Sequence, residues 1–370
     1  MANNCYIHIP FCNNICSYCD FCKLFYNENL TDKYLVSLEK EILSTYNNEK
    51  LDTIYIGGGT PSSLNLEQLK KLFNILNIFK KNEKIEYTIE CNFDSITLEK
   101  LKLFKENGVN RISFGLETVN KNNLTLLGRK ESKKRVKYII DLCRNLDFDN
   151  INIDLMYAIP NETLDDLSND IDFVLSLKPE HISTYSLIIE PHTKLAINKT
   201  DYIDEDLDYE MYKLIINKLK DYEHYEISNF SKKGYESKHN LCYWKNKNYY
   251  GFGLGASSYI GSRRITNTRS IKKYMRGNYI LEYDNLSKSD IMDYEMILGL
   301  RLLKGVNKKY FENKYGEKIE NIYPIDSLVS NNLICNNENI YIPEDKIYVS
   351  NEILINFVRS KEVWIMKNIL

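Results

Sequence analysis

The stretch Y-I-H-I-P-F-C-N-N-I-C-S-Y-C-D-F-C, Tyr6 to Cys22, decides how the chain is read. Its first residues form a short apolar strand pattern (Tyr6, Ile7, Ile9) that stops at Pro10, and the loop beyond carries Cys12, Cys16, Cys19 and Cys22. The C-x3-C-x2-C spacing of Cys12, Cys16 and Cys19 lets one loop wrap a compact inorganic object and leave one metal corner free. This suits a cubane iron–sulfur cluster held by thiolates. Zinc and small buried filler are the other readings. Zinc sites usually draw on paired C-x2-C units or histidine partners, and four thiols this close are too many for filler.

Outward from the loop, strand-like runs recur at residues 5–9, 53–56, 85–90, 111–115, 151–156 and 181–187, from β-branched or aromatic alternation and short apolar runs. Between them, residues 32–46, 66–79, 98–106, 132–145 and 164–177 place apolar side chains at three- and four-residue intervals, the pattern of amphipathic helices. Such alternation implies a parallel sheet. Polar residues gather where the strands end: the cysteine loop after the first, Gly57-Gly58-Gly59-Thr60 after the second, Glu90 at the end of the third, Glu117 after the fourth, Asp154 in the fifth. All C-terminal strand ends of a barrel open on one mouth, so the expected class is α/β, a partial (β/α)6 barrel followed by a smaller C-terminal α+β domain.

From Asp201 the pattern changes. Asp204-Glu205-Asp206 reads as the solvated first turn of a helix over residues 209–219, followed by an irregular segment rich in glycine and tyrosine through Tyr259. A further domain is expected to start near Ser287, with a helix over residues 293–303. The expected division is 1–200 for the barrel, 201–286 for a connecting segment that completes the barrel side, and 287–370 for the C-terminal domain.

At 370 residues the chain can bury a large core without disulfides, and five of its nine cysteines are scattered outside the loop, which argues against a secreted disulfide framework. Lys+Arg 49 against Asp+Glu 51 gives a net charge of −2 and no electrostatic footprint for nucleic acid. No basic and apolar leader precedes the first strand, and no apolar run approaches the length of a membrane span. The expectation is a soluble protein of a reducing cytoplasm.

The cysteine loop resembles the signature of the radical S-adenosylmethionine (SAM) superfamily. H-I-P-F-C before it and Y-C-D-F after it are similar to the oxygen-independent coproporphyrinogen oxidase branch and, within that, to the HemW-type heme chaperones. The resemblance implies a radical-SAM partial barrel with a 4Fe-4S cluster on Cys12, Cys16 and Cys19. SAM would chelate the fourth iron, and electron transfer into it would release a 5′-deoxyadenosyl radical. Tyr6 and Tyr18 are counted with the cofactor-binding residues. Gly58, Gly59 and Thr60, in G-G-G-T-P-S, match the segment that contacts the SAM amino group; glycine there permits positive φ and close backbone approach.

Glu90 interrupts an apolar strand and should have a partner, either in the site or as an ion pair with a lysine of a neighbouring helix. In the resembled family Arg129 would sit near the SAM carboxylate, Asp154 would accept the ribose hydroxyls, and Ile188 would line the adenine pocket through its backbone. Two positions depart from the family. Glu117 stands where relatives usually carry glutamine, which adds a negative charge to the pocket. Ala158 replaces a glycine and is tolerated unless that residue needs positive φ.

Lys238-His239-Asn240-Leu241-Cys242-Tyr243-Trp244 carries an H-N-x-x-Y-W motif similar to the heme-binding signature of the chaperone branch. A lone histidine beside aromatics is more often structural; the resemblance makes His239 a candidate axial ligand, with Tyr243 and Trp244 as flat walls for a porphyrin. On a helix, Cys242 would share a face with His239 and compete as a ligand. Cys22 falls one residue beyond the extra cysteine of true oxidases, where this chain has Phe21, and is read as a bystander or reserve thiol.

Two functions from different classes follow. One is a heme chaperone that passes heme to apoproteins such as respiratory cytochromes, by transient contact at the inner face of a membrane. The other is an enzyme that oxidatively decarboxylates coproporphyrinogen III. The short segment before the loop, Phe21 in place of a C-x-C ending, and the H-N-x-x-Y-W motif favour the chaperone. Whether the chain is an enzyme and whether it forms a homodimer stay open. A radical enzyme acting on transfer RNA fits poorly with the charge.

Overall fold

A computed structural model of the chain describes residues 1–329 and 332–359. One nine-stranded sheet dominates. Its strands are β1 (Asn4–Ile9), β2 (Leu51–Gly58), β3 (Lys81–Asn92), β4 (Arg111–Glu117), β5 (Ile151–Tyr157), β6 (His181–Ser186), β7 (Glu223–Glu226), β8 (Asn229–Ser231) and β9 (Tyr250–Phe252), in the order β9-β1-β2-β3-β4-β5-β6-β8-β7. β9 and β1 to β6 are parallel, and β8 runs antiparallel to β6 and β7. Helices make the crossovers: α1 (Glu28–Thr45), α2 (Leu66–Leu76), α3 (Leu98–Glu106), α4 (Lys121–Leu127) with α5 (Lys133–Asn145), and α6 (Leu164–Ser176). Each starts where the sequence offers a cap. The side chains of Asn27, Asn65, Thr97, Asn120, Ser132 and Thr163 each accept an otherwise orphaned first-turn N–H. The expected α/β partial barrel is what forms.

The two faces of β1 to β6 differ in chemistry. Ile7, Ile9, Ile54, Ile56, Ile89, Ile112, Phe114, Ile151 and Ile153 share one apolar core with Leu38, Leu69, Leu72, Leu101, Ile139 and Leu167 of the helices. Each such burial stabilises by about 1.5–3 kcal/mol. Alternate positions, pointing to the other face, are polar and lie side by side across strands. Tyr6 neighbours Tyr55, Glu90 neighbours Ser113, Ser113 neighbours Asn152, and Asp154 neighbours Ser183. Strand alternation thus builds the polar concave face that carries the site.

The region after Asp201 differs from expectation. The helix is α7 (Glu205–Lys218), begun at the acidic run as read. The segment expected to be irregular supplies β7, β8 and β9 to the main sheet, and α8 (Lys238–Trp244). These strands span only three or four residues, too few for a periodic signal, and pairing with the edges of β6 and β1 creates them. The helix expected over residues 293–303 is α9 (Lys288–Gly299), started by a capping box between Ser287 and Asp290. A three-stranded sheet of β10 (Ser257–Ile260), β11 (Arg263–Asn267) and β12 (Ile280–Asn285) flanks the barrel, and short helices and strands follow α9.

Two local features give testable consequences. Ala158 adopts φ 59°, the left-handed region that its replaced glycine would occupy without strain. Ala158→Gly is therefore expected to stabilise the chain by about 1 kcal/mol in chemical denaturation.

Glu41 of α1 is buried and accepts from the Gly253 amide, Asn267 Nδ2 and the Tyr274 hydroxyl, which ties α1 to the segment after β9. Burial pushes its carboxyl up to about 7, against the downward pull of those three bonds. The unfolded chain releases this proton near the ordinary value of 4.5 while the folded chain holds it, so stability falls as pH rises from 4.5 to about 7 and the loss is complete above that. The loss is on the order of 3 kcal/mol. Unfolding of Glu41→Gln, followed at pH 5 and pH 8, should show a flatter pH dependence than the parent; an equal slope would assign the titration elsewhere.

Candidate functional site

The cysteine loop and the glycine loop are stitched together by backbone bonds at the strand ends: Gly59 N–H donates to Ile9 O at 2.9 Å and Thr60 N–H to Phe11 O at 2.8 Å. A Cβ on Gly59 would come within 2.9 Å of Cys12 Sγ, and one on Gly58, at φ 118°, within 2.8 Å of the His8 ring. Only glycine allows this approach. Cys12, Cys16 and Cys19 line one hollow of about 130 Å³ with Gly58, Gly59 and Thr60. The Thr60 hydroxyl donates to Cys12 Sγ at 3.5 Å, and Arg129 Nη1 to Cys16 Sγ at 3.5 Å. Burial pushes the Cys12 thiol up to about 11 and raises those of Cys16 and Cys19. Among the described residues, no three His, Cys, Asp or Glu side chains close on a single ion-sized position; the three thiols stand around the hollow instead.

Glu90, Glu117, Arg129 and Asp154 line the same hollow. Glu90 accepts from the Tyr55 hydroxyl at 2.7 Å and the Gly58 amide at 3.0 Å, in place of the lysine that was one reading of it. Burial pushes it up to about 7. Arg129 pairs with Glu117 at 3.3 Å and with Glu131 at 2.8 Å, while its Nε has no partner among the described residues. Tyr18 donates to Glu117 at 3.0 Å. Asp154 accepts from Asn152 Nδ2 at 2.7 Å, and burial raises its carboxyl. Glu131 and Tyr55 escaped the sequence reading; a carboxylate two residues after Arg129 was the available signal for the first. Ile188 is exposed in the loop after β6 and is not among the side chains lining the hollow.

A larger cavity, about 870 Å³, lies on the other side of Phe21, which borders both. Tyr6, Tyr243 and Trp244 line it. His239 does not. It is 1% exposed, its Nδ1 is 2.7 Å from Thr53 Oγ1 and its Nε2 is 2.8 Å from the Tyr243 hydroxyl. Thr53 donates its single proton to Asn4, so His239 carries hydrogen on Nδ1 and accepts from Tyr243 on Nε2. Burial, with Arg111, pushes the imidazole down to about 3, hence neutral. Both ring nitrogens of His239, the candidate axial ligand, are engaged in protein hydrogen bonds, because α8 packs its first turn into the barrel, where Glu86 accepts from the Lys238 and His239 amides at 2.9 Å. Cys242 is also buried and lines neither hollow.

Fold and site together define a radical SAM protein. The Radical SAM superfamily model matches residues 6–174 and that of the HemN C-terminal domain residues 286–345. The chain is 40% identical to the heme chaperone HemW of Bacillus subtilis, over 95% of this chain and 98% of that one. To HemW of Lactococcus lactis it is 37% identical over 96% and 97%, and to HemW of Haemophilus influenzae 31% over 96% and 98%. The chain belongs to the HemW heme chaperone family. Its fold is also that of Escherichia coli coproporphyrinogen III oxidase (HemN), at a TM-score of 0.86 and 22% identity over 96% of this chain and 90% of that one. No helix of the described residues is long and apolar enough to cross a membrane.

Proposed function

We propose that this chain is a heme chaperone that holds a 4Fe-4S cluster and SAM at the mouth formed by the three cysteines and carries heme, as cargo, in the larger cavity for transfer to acceptor apoproteins such as respiratory cytochromes. The observation that carries the reading is the pairing of two dissimilar cavities across Phe21, one lined by three cysteine thiols and the other by aromatic rings. Three thiols around a glycine-lined hollow fit a multi-iron cluster, and the orphaned Arg129 Nε beside them fits a carboxylate. When bound, the cluster supplies one-electron chemistry and a corner for SAM. Cys12, Cys16 and Cys19 would hold it, each giving up a thiol proton; Arg129 would take the SAM carboxylate, Asp154 its ribose, and the Gly58–Gly59 backbone its amino group.

The larger cavity is within the size range of pockets for cofactor-sized molecules. Trp244 Nε1, Asn246 Oδ1 and Arg264 Nε, on residues lining it, have no partner among the described residues. His239 acts there as a positioning residue, holding the Tyr243 ring through its hydroxyl. An iron–sulfur cluster held by three thiols suits a reducing cytoplasm.

The test is an anaerobic hemin titration of the reconstituted protein beside an assay with coproporphyrinogen III, SAM and a reductant. A saturable Soret band without decarboxylation is expected, and His239→Ala should weaken the band. Turnover without heme binding would replace the chaperone reading by the oxidase.

A further inference from the structure

Cys22 is the thiol that the cluster set leaves unused. It lines the larger cavity with Asp20 and Phe21 and is not among the residues lining the hollow of Cys12, Cys16 and Cys19. Its position is held from three sides. His8 Nε2 bonds the Cys22 carbonyl at 2.7 Å, and His8 Nδ1 bonds the Tyr6 hydroxyl at 3.0 Å. Gly255, at φ 70°, packs so closely that a Cβ there would stand 2.9 Å from Cys22 Cβ and 3.2 Å from its sulfur. Arg269 lies beside the thiol and donates to the Asp20 carbonyl at 2.9 Å.

The cavity itself offers more than a cysteine. Tyr243, Trp244 and Tyr249 give it flat walls, Arg264, Arg269 and Lys247 line it against the carboxylates of Asp20, Glu190 and Glu282, and Asn246, 5% exposed and bonded through Nδ2 to the Ile291 carbonyl, leaves its Oδ1 without a partner among the described residues. The imidazoles at hand are spent: His239 is bonded at both nitrogens outside the lining, and His8 is bonded at both within it. The hydroxyls of Tyr6 and Tyr243 are bonded to those same rings.

We propose that the Cys22 sulfur is the axial ligand of heme iron in this cavity, with Arg264 and Arg269 supplying positive charge for the heme carboxylates. The proposal rests on the reading that the larger cavity carries heme. On binding ferric heme an iron–sulfur bond forms and the thiol proton leaves to solvent. No electron moves. Thiolate is an established haem ligand elsewhere and a soft one.

The experiment uses the full chain with its cluster reconstituted and oxidised, so that the cluster is diamagnetic. It is titrated with hemin, then given imidazole as a sixth ligand and examined by electron paramagnetic resonance. The wild type should give the narrow-spread low-spin signal of a thiolate-ligated ferric heme. Cys335→Ser, a control for adventitious thiols, should keep that signal at full intensity, and His239→Ala, which binds less hemin, should keep its narrow spread. Cys22→Ser should lose it and bind hemin at least tenfold more weakly, with full cluster iron and sulfide showing that it has folded. Cys22→Ser with unchanged signal and affinity, or a wild-type complex with the wide-spread signal of two imidazoles, would overturn the ligand assignment and leave heme carriage standing. No saturable hemin binding by the wild type would overturn both.

Discussion

Cys12→Ala, Cys16→Ala and Cys19→Ala should each emerge from anaerobic reconstitution with iron and sulfide at background, whereas Cys22→Ala should retain both. The expected loss is total, because three thiols serve three irons: Cys22 borders a different cavity, Cys91 borders the hollow but belongs to the apolar core, and the carboxylates bordering it are engaged, Glu90 with Tyr55 and Gly58, Glu117 with Arg129, and Asp154 with Asn152. The thiols should also make loading depend on pH. Burial raises all three, so each must lose a proton as iron arrives, and reconstitution should be faster at higher pH. Normal iron and sulfide in any one of the three single variants would sink the cluster assignment.

Arg129→Met is expected to cost about 3–5 kcal/mol of stability in the metal-free chain, as breaking a buried ion network does. Arg129 is 8% exposed and is flanked by Glu117 and Glu131, both with nearly buried side chains. Removing the guanidinium strands two carboxylates. Burial already pushes Glu117 up to about 7 in spite of Arg129, so without it the carboxyl rises further and takes a proton. The folded chain then holds a proton that the unfolded chain releases, and the penalty should be smaller at pH 6 than at pH 8. Adding Glu117→Gln, the residue that relatives usually carry, should recover part of the loss. Equal unfolding midpoints for parent and Arg129→Met would show that the network contributes nothing.

Much of this was legible in the chain because it is local. Runs such as Ile151-Asn152-Ile153-Asp154-Leu155 declare both faces of a strand at once, the apolar side for the helices and the polar side for the site. The helices expected from residues 66, 98, 132 and 164 by apolar spacing start at Leu66, Leu98, Lys133 and Leu164. What was not legible depends on tertiary pairing. β7, β8 and β9 exist because the edges of β6 and β1 accept them, and three residues carry no period of their own. His239 reads as a ligand by its motif, yet its environment is set by Thr53, 186 positions away, and by Tyr243. Ala158 shows the converse. Its substitution for glycine was visible, but only the backbone angle says that it matters.

Cys22 draws the two halves of the account together. The loop that carries the cluster thiols also borders the aromatic cavity, and Phe21 lines both sites. Whether this scaffold moves heme is decided by mixing the heme-loaded, reconstituted protein with a heme-free b-type cytochrome and following the visible spectrum anaerobically. The Soret band of the loaded chain should give way to that of the cytochrome faster than from hemin held by albumin. A loaded chain that keeps its heme, from a preparation that decarboxylates coproporphyrinogen III when given SAM and a reductant, would contradict it.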